Sequence, residues 1–239
     1  MSRTNTPNYF SAQHAKRLIP APLKRAVREA FSKRDLHQAI RQIKDLSPGT
    51  VPSHELLNLL QRGWGNGGFA ATIDYLDEVA KFASTTTGPI LECGSGLTTL
   101  LLGLIAGRRG IETWSLEHIS EWRTRVAGLI ERFEIPNSRL CLAPLKDYGE
   151  FTWYDAPLGE MPQNFALVIC DGPPGATPGG RYGLLPILGE RLSKGSVILL
   201  DDATRPGEAE VLSRWKAEAP VSISFDEEKN QTFAVIIYG

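Results

Sequence analysis

From Pro89 onward, short runs rich in Val, Ile and Leu alternate with longer stretches of helical periodicity, and this alternation constrains the chain more than any other feature. Repeated strand–helix–strand units build a parallel sheet covered by helices. The pattern predicts strands at Ile90–Cys93, Glu112–Glu117, Arg139–Leu142, Ala166–Asp171 and Ser196–Asp201, with helices near Thr98–Ala106, Ser120–Phe133, Tyr182–Leu192 and Pro206–Ala217. The last two strand-like runs, Val221–Phe225 and Thr232–Tyr238, are separated only by Asp226 to Gln231. A parallel crossover needs about a dozen residues, so these two strands are expected to be antiparallel. Trp153-Tyr154 falls in a long loop after the third strand.

The first 88 residues read differently. Residues 1–50 carry ten Lys/Arg against three Asp/Glu, whereas the remainder carries sixteen against twenty-four. Between Pro22 and Leu46, apolar residues such as Leu23, Val27, Leu36, Ile40 and Ile43 recur at helical spacing among basic ones, which predicts an amphipathic basic helix or two short ones. Ser47-Pro48-Gly49 stops it. Further helices are expected over Glu55 to Leu60 and Phe69 to Phe82, around a glycine-rich segment from Gly63 to Gly68. Residues 1–88 are thus expected to form a helical lid or oligomerisation region, and 89–239 the α/β domain. The basic helix either packs on the main domain or a second subunit, or attaches to an anionic membrane surface or acidic partner.

With a net charge of -1, bulk charge gives no reason to expect a nucleic-acid partner. The longest nearly apolar stretch, Leu97 to Gly107, is about half the roughly 20 residues a membrane span needs. Residues 1–20 lack a secretory apolar region, and a cytoplasmic location is expected. Cys93, Cys141 and Cys170 are odd in number, widely spaced and set in apolar runs, so they read as small buried hydrophobes.

Chemistry concentrates at the strand ends. Glu92-Cys93-Gly94-Ser95-Gly96 places two glycines at a strand-to-helix turn, where backbone can approach a ligand closely. A dinucleotide fingerprint continues with a glycine or alanine three residues after Gly96, but that residue is Thr99. Glu117 ends the second strand, where a carboxylate can accept hydrogen bonds from both ribose hydroxyls of an adenosine-containing ligand. Asp171 closes the fourth strand and Asp201-Asp202 the fifth. In open parallel sheets the crevice lies beyond the carboxyl ends of the strands, which brings these residues to one site.

Together, Leu91-Glu92-Cys93-Gly94-Ser95-Gly96, Leu116-Glu117-His118, Ala143-Pro144-Leu145, Trp153-Tyr154-Asp155, Cys170-Asp171-Gly172-Pro173-Pro174 and Leu200-Asp201-Asp202-Ala203 resemble class I S-adenosylmethionine-dependent methyltransferases. The resemblance covers residues 89–239 and implies a Rossmann-like methyltransferase sheet: mostly parallel, with an antiparallel C-terminal strand, helices on both faces and the N-terminal helical extension. It implies S-adenosylmethionine as cofactor, contacted by Glu92, Gly94, Ser95, Gly96, Glu117, His118, Leu145 and Asp171. Trp64 and Asn66 close over the cofactor or, in Trp64's case, anchor the N-terminal helices.

The expected reaction is methyl transfer to a hydroxyl of a small molecule such as a sugar or secondary metabolite. Asp171 or His118 would serve as base, and Tyr154, Arg181 and Tyr182 would line the acceptor pocket. Asp171, Asp201 and Asp202 hold Mg²⁺ or another divalent cation, as in metal-dependent O-methyltransferases, or else Asp201 or Asp202 caps the following helix or pairs with Arg205 and Asp171 initiates a rigid turn. A nicotinamide-dependent oxidoreductase and a non-catalytic adenosyl-ligand module with a basic partner-binding helix are the rival readings. A homodimer is compatible with the sequence.

Overall fold

The computed structural model describes residues 21–65, 71–225 and 232–239. Three helices come first: α1 (Ala21–Asp45), α2 (His54–Trp64) and α3 (Ile73–Thr85). Ser53 and Thr72 cap the second and third, their hydroxyls accepting from the amides of Leu56 and Tyr75, both at 3.3 Å. The α2 helix crosses α1 so closely that a Cβ on Gly63 would lie 2.3 Å from the Leu36 nitrogen. Ser32 Oγ donates to the Gly63 carbonyl at 2.7 Å across the same crossing.

The α/β part runs β1 (Ile90–Cys93), α4 (Leu97–Ala106), β2 (Thr113–Glu117), α5 (Ser120–Arg132) and β3 (Ser138–Leu142), then a small hairpin of β4 (Leu145–Asp147) and β5 (Thr152–Tyr154). It continues with β6 (Phe165–Cys170), α6 (Leu184–Leu188), β7 (Leu192–Leu200), α7 (Pro206–Glu218), β8 (Val221–Ser224) and β9 (Ala234–Tyr238). The main sheet has seven strands in the order β3-β2-β1-β6-β7-β9-β8. Strands β3, β2, β1, β6 and β7 are mutually parallel. The final strand, β9, enters between β7 and β8 and is antiparallel to both, as the short connection required.

Side-chain alternation along the central strands separates two cores. Ile90, Leu167, Ile169 and Leu199 face a layer made by α2, α3 and α4, which includes Leu57, Leu60, Leu76 and Leu101. Leu91, Cys93, Val168, Cys170, Ile198 and Leu200 face the other way, toward α6, α7 and the β4–β5 hairpin. The α4 helix is buried throughout and apolar apart from Thr98 and Thr99 in its first turn. From α3, Tyr75 reaches the sheet and donates its hydroxyl to the Leu199 carbonyl at 3.1 Å. The helices before residue 88 share one core with the sheet.

Some elements differ from their sequence outlines. The Tyr182–Leu192 helix shrinks to α6 and a following single turn, because Gly183 lies against Trp153, 2.5 Å from where a Cβ would sit, and fixes a loop there. Strand β7 begins at Leu192 rather than Ser196. The hairpin replaces the expected long loop after β3, its strands, of three residues each, too short to read in advance. The helix expected from Phe69 starts at Ile73. No helix among the described residues is long and apolar enough to cross a membrane.

Candidate active site

The Gly94–Gly96 turn joins β1 to α4. Gly94 has φ +94°, a conformation that side-chain-bearing residues rarely adopt. A Cβ on Gly94 would meet the Gly172 nitrogen at 3.4 Å, so the loops after β1 and β6 approach backbone to backbone.

Beneath this turn, Glu92 is 1% exposed. Its carboxylate accepts hydrogen bonds from the hydroxyls of Thr98, Thr99 and Ser115. Thr99 Oγ1 in turn accepts from the Gly96 amide at 2.8 Å. Burial pushes the Glu92 carboxyl up from 4.5 to about 7, against the pull of the three hydroxyls. With both oxygens engaged, Glu92 braces the turn from below instead of facing the crevice as the resemblance implied. Thr99, the residue that breaks the dinucleotide fingerprint, connects the brace to the turn.

Glu117 lies across the turn. Ser95 Oγ donates to its Oε2 at 2.7 Å, and the Ile119 amide donates to Oε1 at 2.8 Å. His118 follows, with Nδ1 at 3.3 Å from Glu117 Oε1. That nitrogen is buried and has no hydrogen-bond partner. Trp122, on the first turn of α5, donates its indole N–H to the Ser95 carbonyl at 2.8 Å. Trp64 meets Trp122 edge-on, with ring centroids 6.0 Å apart, and the Arg125 guanidinium lies over both rings. A Cβ on Gly96 would be 4.0 Å from Trp64. Trp64 therefore both anchors the N-terminal helices and borders the glycine turn. Asn66 lies outside the described residues.

On the other side of the crevice, Tyr154 at the end of β5 is fully buried, yet its hydroxyl has no partner. It points at the loop after β6, where a Cβ on Gly172 would lie 2.3 Å from that oxygen. The ring also meets His118, with centroids 6.1 Å apart. Burial, then nearby thiols and carboxylates, pushes its pKa further up, so the hydroxyl keeps its proton. Leu145 opens β4 and is half-buried.

Asp171, Asp201 and Asp202 converge, with one carboxylate oxygen from each lying within 4.8 Å of the others. A buried arginine joins them. Arg181 donates to the carbonyl of Asp201, to the Asp171 carbonyl at 2.9 Å and to Asp171 Oδ1 at 3.1 Å, and it lies 3.4 Å from Asp202 Oδ2. The other oxygen of Asp202 pairs with Arg205 at 2.8 Å. Asp201 Oδ1 accepts from the Asp202 amide at 2.8 Å.

Asp171 is the most exposed of the three, its side chain 36% exposed against 25% for Asp202. Desolvation first, then the Asp201 charge, pushes its pKa up against the pull of Arg181. The direction makes Asp171 a better proton acceptor than an ordinary carboxylate.

Two sequence-predicted acceptor residues belong elsewhere. Arg181 is 2% exposed and committed to the acidic cluster. Tyr182 donates its hydroxyl to Glu218, and Arg214 lies 3.5 Å above its ring, so it fastens α7 and does not face the crevice. Cys93 and Cys170 sit opposite each other in register, and burial pushes the Cys93 thiol well up, in keeping with a small apolar role.

No family model matches the sequence, and no curated protein matches it. Solved structures do. The chain is similar to the SAH-bound methyltransferase PaMTH1 of Podospora anserina at 12% identity, over 98% of this chain and 99% of that one, with a TM-score of 0.56. It is similar to an SAH-bound O-methyltransferase of Bacillus cereus at 14% identity, over 90% and 97% of the two chains, with a TM-score of 0.54. A tRNA (m1A58) methyltransferase of Aquifex aeolicus shares 17% identity over 78% and 76%, with a TM-score of 0.50. The fold is that of the class I S-adenosylmethionine-dependent methyltransferases.

Proposed function

We propose that this chain is an S-adenosylmethionine-dependent methyltransferase that methylates a hydroxyl of a small molecule such as a sugar or secondary metabolite. The observation that carries the reading is the placement of Glu117 across the Gly94–Gly96 turn, with His118 Nδ1 3.3 Å from its Oε1 and the buried Tyr154 hydroxyl, which has no hydrogen-bond partner, nearby. Buried polar atoms in native folds are normally satisfied, and an unsatisfied hydroxyl beside the loops after β1 and β6 fits a polar ligand. The turn offers backbone without side chains, which suits the amino acid end of the cofactor. The Glu117 carboxylate, now held by Ser95, suits the ribose hydroxyls. Leu145 and the residues just before it are assigned to the adenine side.

When bound, the cofactor supplies an activated methyl group on a cationic sulfur. The protein's part is to hold the acceptor in line and to exclude water, from which much of the acceleration comes. Asp171 accepts the hydroxyl proton as the oxygen attacks. The neutral Tyr154 hydroxyl donates a hydrogen bond that orients the acceptor, and His118 contacts the cofactor or serves as a second base.

Transfer of labelled methyl from S-adenosylmethionine into small-molecule extracts tests the proposal. Asp171→Asn is expected to keep cofactor binding and to lower turnover by about a hundredfold or more. Unchanged turnover removes Asp171 from catalysis. Cofactor binding without transfer to any acceptor class would favour a non-catalytic adenosyl-binding module, and label appearing in RNA would move the acceptor class to nucleic acid.

A further inference from the structure

We infer that Arg181 is the resident cation of the acidic cluster at the ends of β6 and β7, standing where a divalent metal would stand, and that it holds Asp171 toward the crevice. The inference rests on reading that crevice as the site of methyl transfer. Three carboxylates this close would by themselves suit a hard cation. Four of their six oxygens are already engaged. Both oxygens of Asp202 are turned toward arginines, Arg181 at 3.4 Å and Arg205 at 2.8 Å. One oxygen of Asp201 is occupied by the Asp202 amide, and one oxygen of Asp171 lies 3.1 Å from Arg181.

The arginine has no room to leave. Its side chain is 3% exposed, and its two terminal nitrogens bond the carbonyls of Asp201 and Asp171 as well as the Asp171 carboxylate. Its Nε is turned to the buried Glu208, 3.8 Å from Oε1. A dication among these carboxylates would lie beside a fixed guanidinium in a poorly screened interior, and the two would repel strongly. One terminal nitrogen of Arg181 holds Asp171 at both its carbonyl and its carboxylate, which fixes the direction of that side chain. Arg181 acts through Asp171 and is a positioning residue.

Manganese titration, read by the loss of the free Mn²⁺ paramagnetic signal, tests this without reference to turnover. The wild-type protein is expected to bind no Mn²⁺ at the cluster, and exhaustive chelation is expected to leave cofactor binding unchanged. Arg181→Met frees the carboxylates, so its Mn²⁺ affinity should exceed the wild-type value by about tenfold or more, and adding Asp202→Asn should abolish that gain. Stoichiometric Mn²⁺ binding to the wild type that disappears in Asp202→Asn would overturn the inference. So would a folded Arg181→Met variant with no gain. Should that variant fail to fold, Arg181→Lys, which keeps a charge, must exclude Mn²⁺ as the wild type does. A protein that binds no Mn²⁺ and transfers no methyl group leaves this inference intact and removes only the methyl-transfer reading.

Discussion

Replacing Glu92 with glutamine should change the pH dependence of stability in a way that a simple loss of contacts would not. The carboxylate is buried under the glycine turn, and desolvation raises its pKa from 4.5 to about 7. A carboxyl whose folded pKa lies above its unfolded value contributes stability that is fully present below pH 4.5 and lost as pH rises through about 7. The span from 4.5 to about 7 is worth about 3 kcal/mol at roughly 1.36 kcal/mol per pH unit. Glutamine is neutral throughout. Its carbonyl oxygen can accept from Thr99 and Ser115, while the Thr98 hydroxyl turns to accept from the amide.

Thermal unfolding of both proteins from pH 5 to pH 8.5 isolates the effect, because other titrating groups cancel in the difference. The Glu92→Gln variant should gain on the wild type as pH rises from 5 to about 7, and the gain should level off above that. About 3 kcal/mol corresponds to roughly 6–12 °C for a chain of this size. A difference that stays flat with pH would refute the reasoning. It would mean that the three hydroxyls keep the carboxylate as acidic in the folded protein as in the unfolded chain.

Gly63→Ala should destabilise the protein by about 1–3 kcal/mol in urea unfolding, because the new Cβ would fall 2.3 Å from the Leu36 nitrogen and force α1 off α2. Trp122→Phe removes the 2.8 Å indole bond to the Ser95 carbonyl, and should weaken cofactor affinity by about five- to tenfold in equilibrium dialysis, with the fold intact.

The sheet was legible because short apolar runs alternate with longer stretches of helical periodicity, and because the connection from Asp226 to Gln231 is too short for a crossover. The glycines of the turn and the acids at the strand ends were legible for a related reason: strand termini position residues through backbone topology alone. What was not legible depended on where side chains point. Glu92 looked like a ligand contact because nothing in the sequence announces that hydroxyls from α4 and β2 close over it. Arg181 and Tyr182, adjacent in a loop, part company: one goes to the acidic cluster and the other to α7. Trp122 was overlooked although a tryptophan amid the polar residues of an opening helical turn is a usable signal, since its role depends on a contact 27 residues back in the chain.

Equilibrium dialysis of labelled S-adenosylmethionine against the wild-type protein and Glu117→Ala bears most directly on the central claim, that an adenosyl ligand lies across the glycine turn with its sugar on Glu117. The wild type should bind one equivalent, and the variant, equally folded by thermal unfolding, should bind about ten- to a hundredfold more weakly, the loss expected for one or two hydrogen bonds to a charged group. No binding to the wild type, or equal binding by the two proteins, would contradict the account.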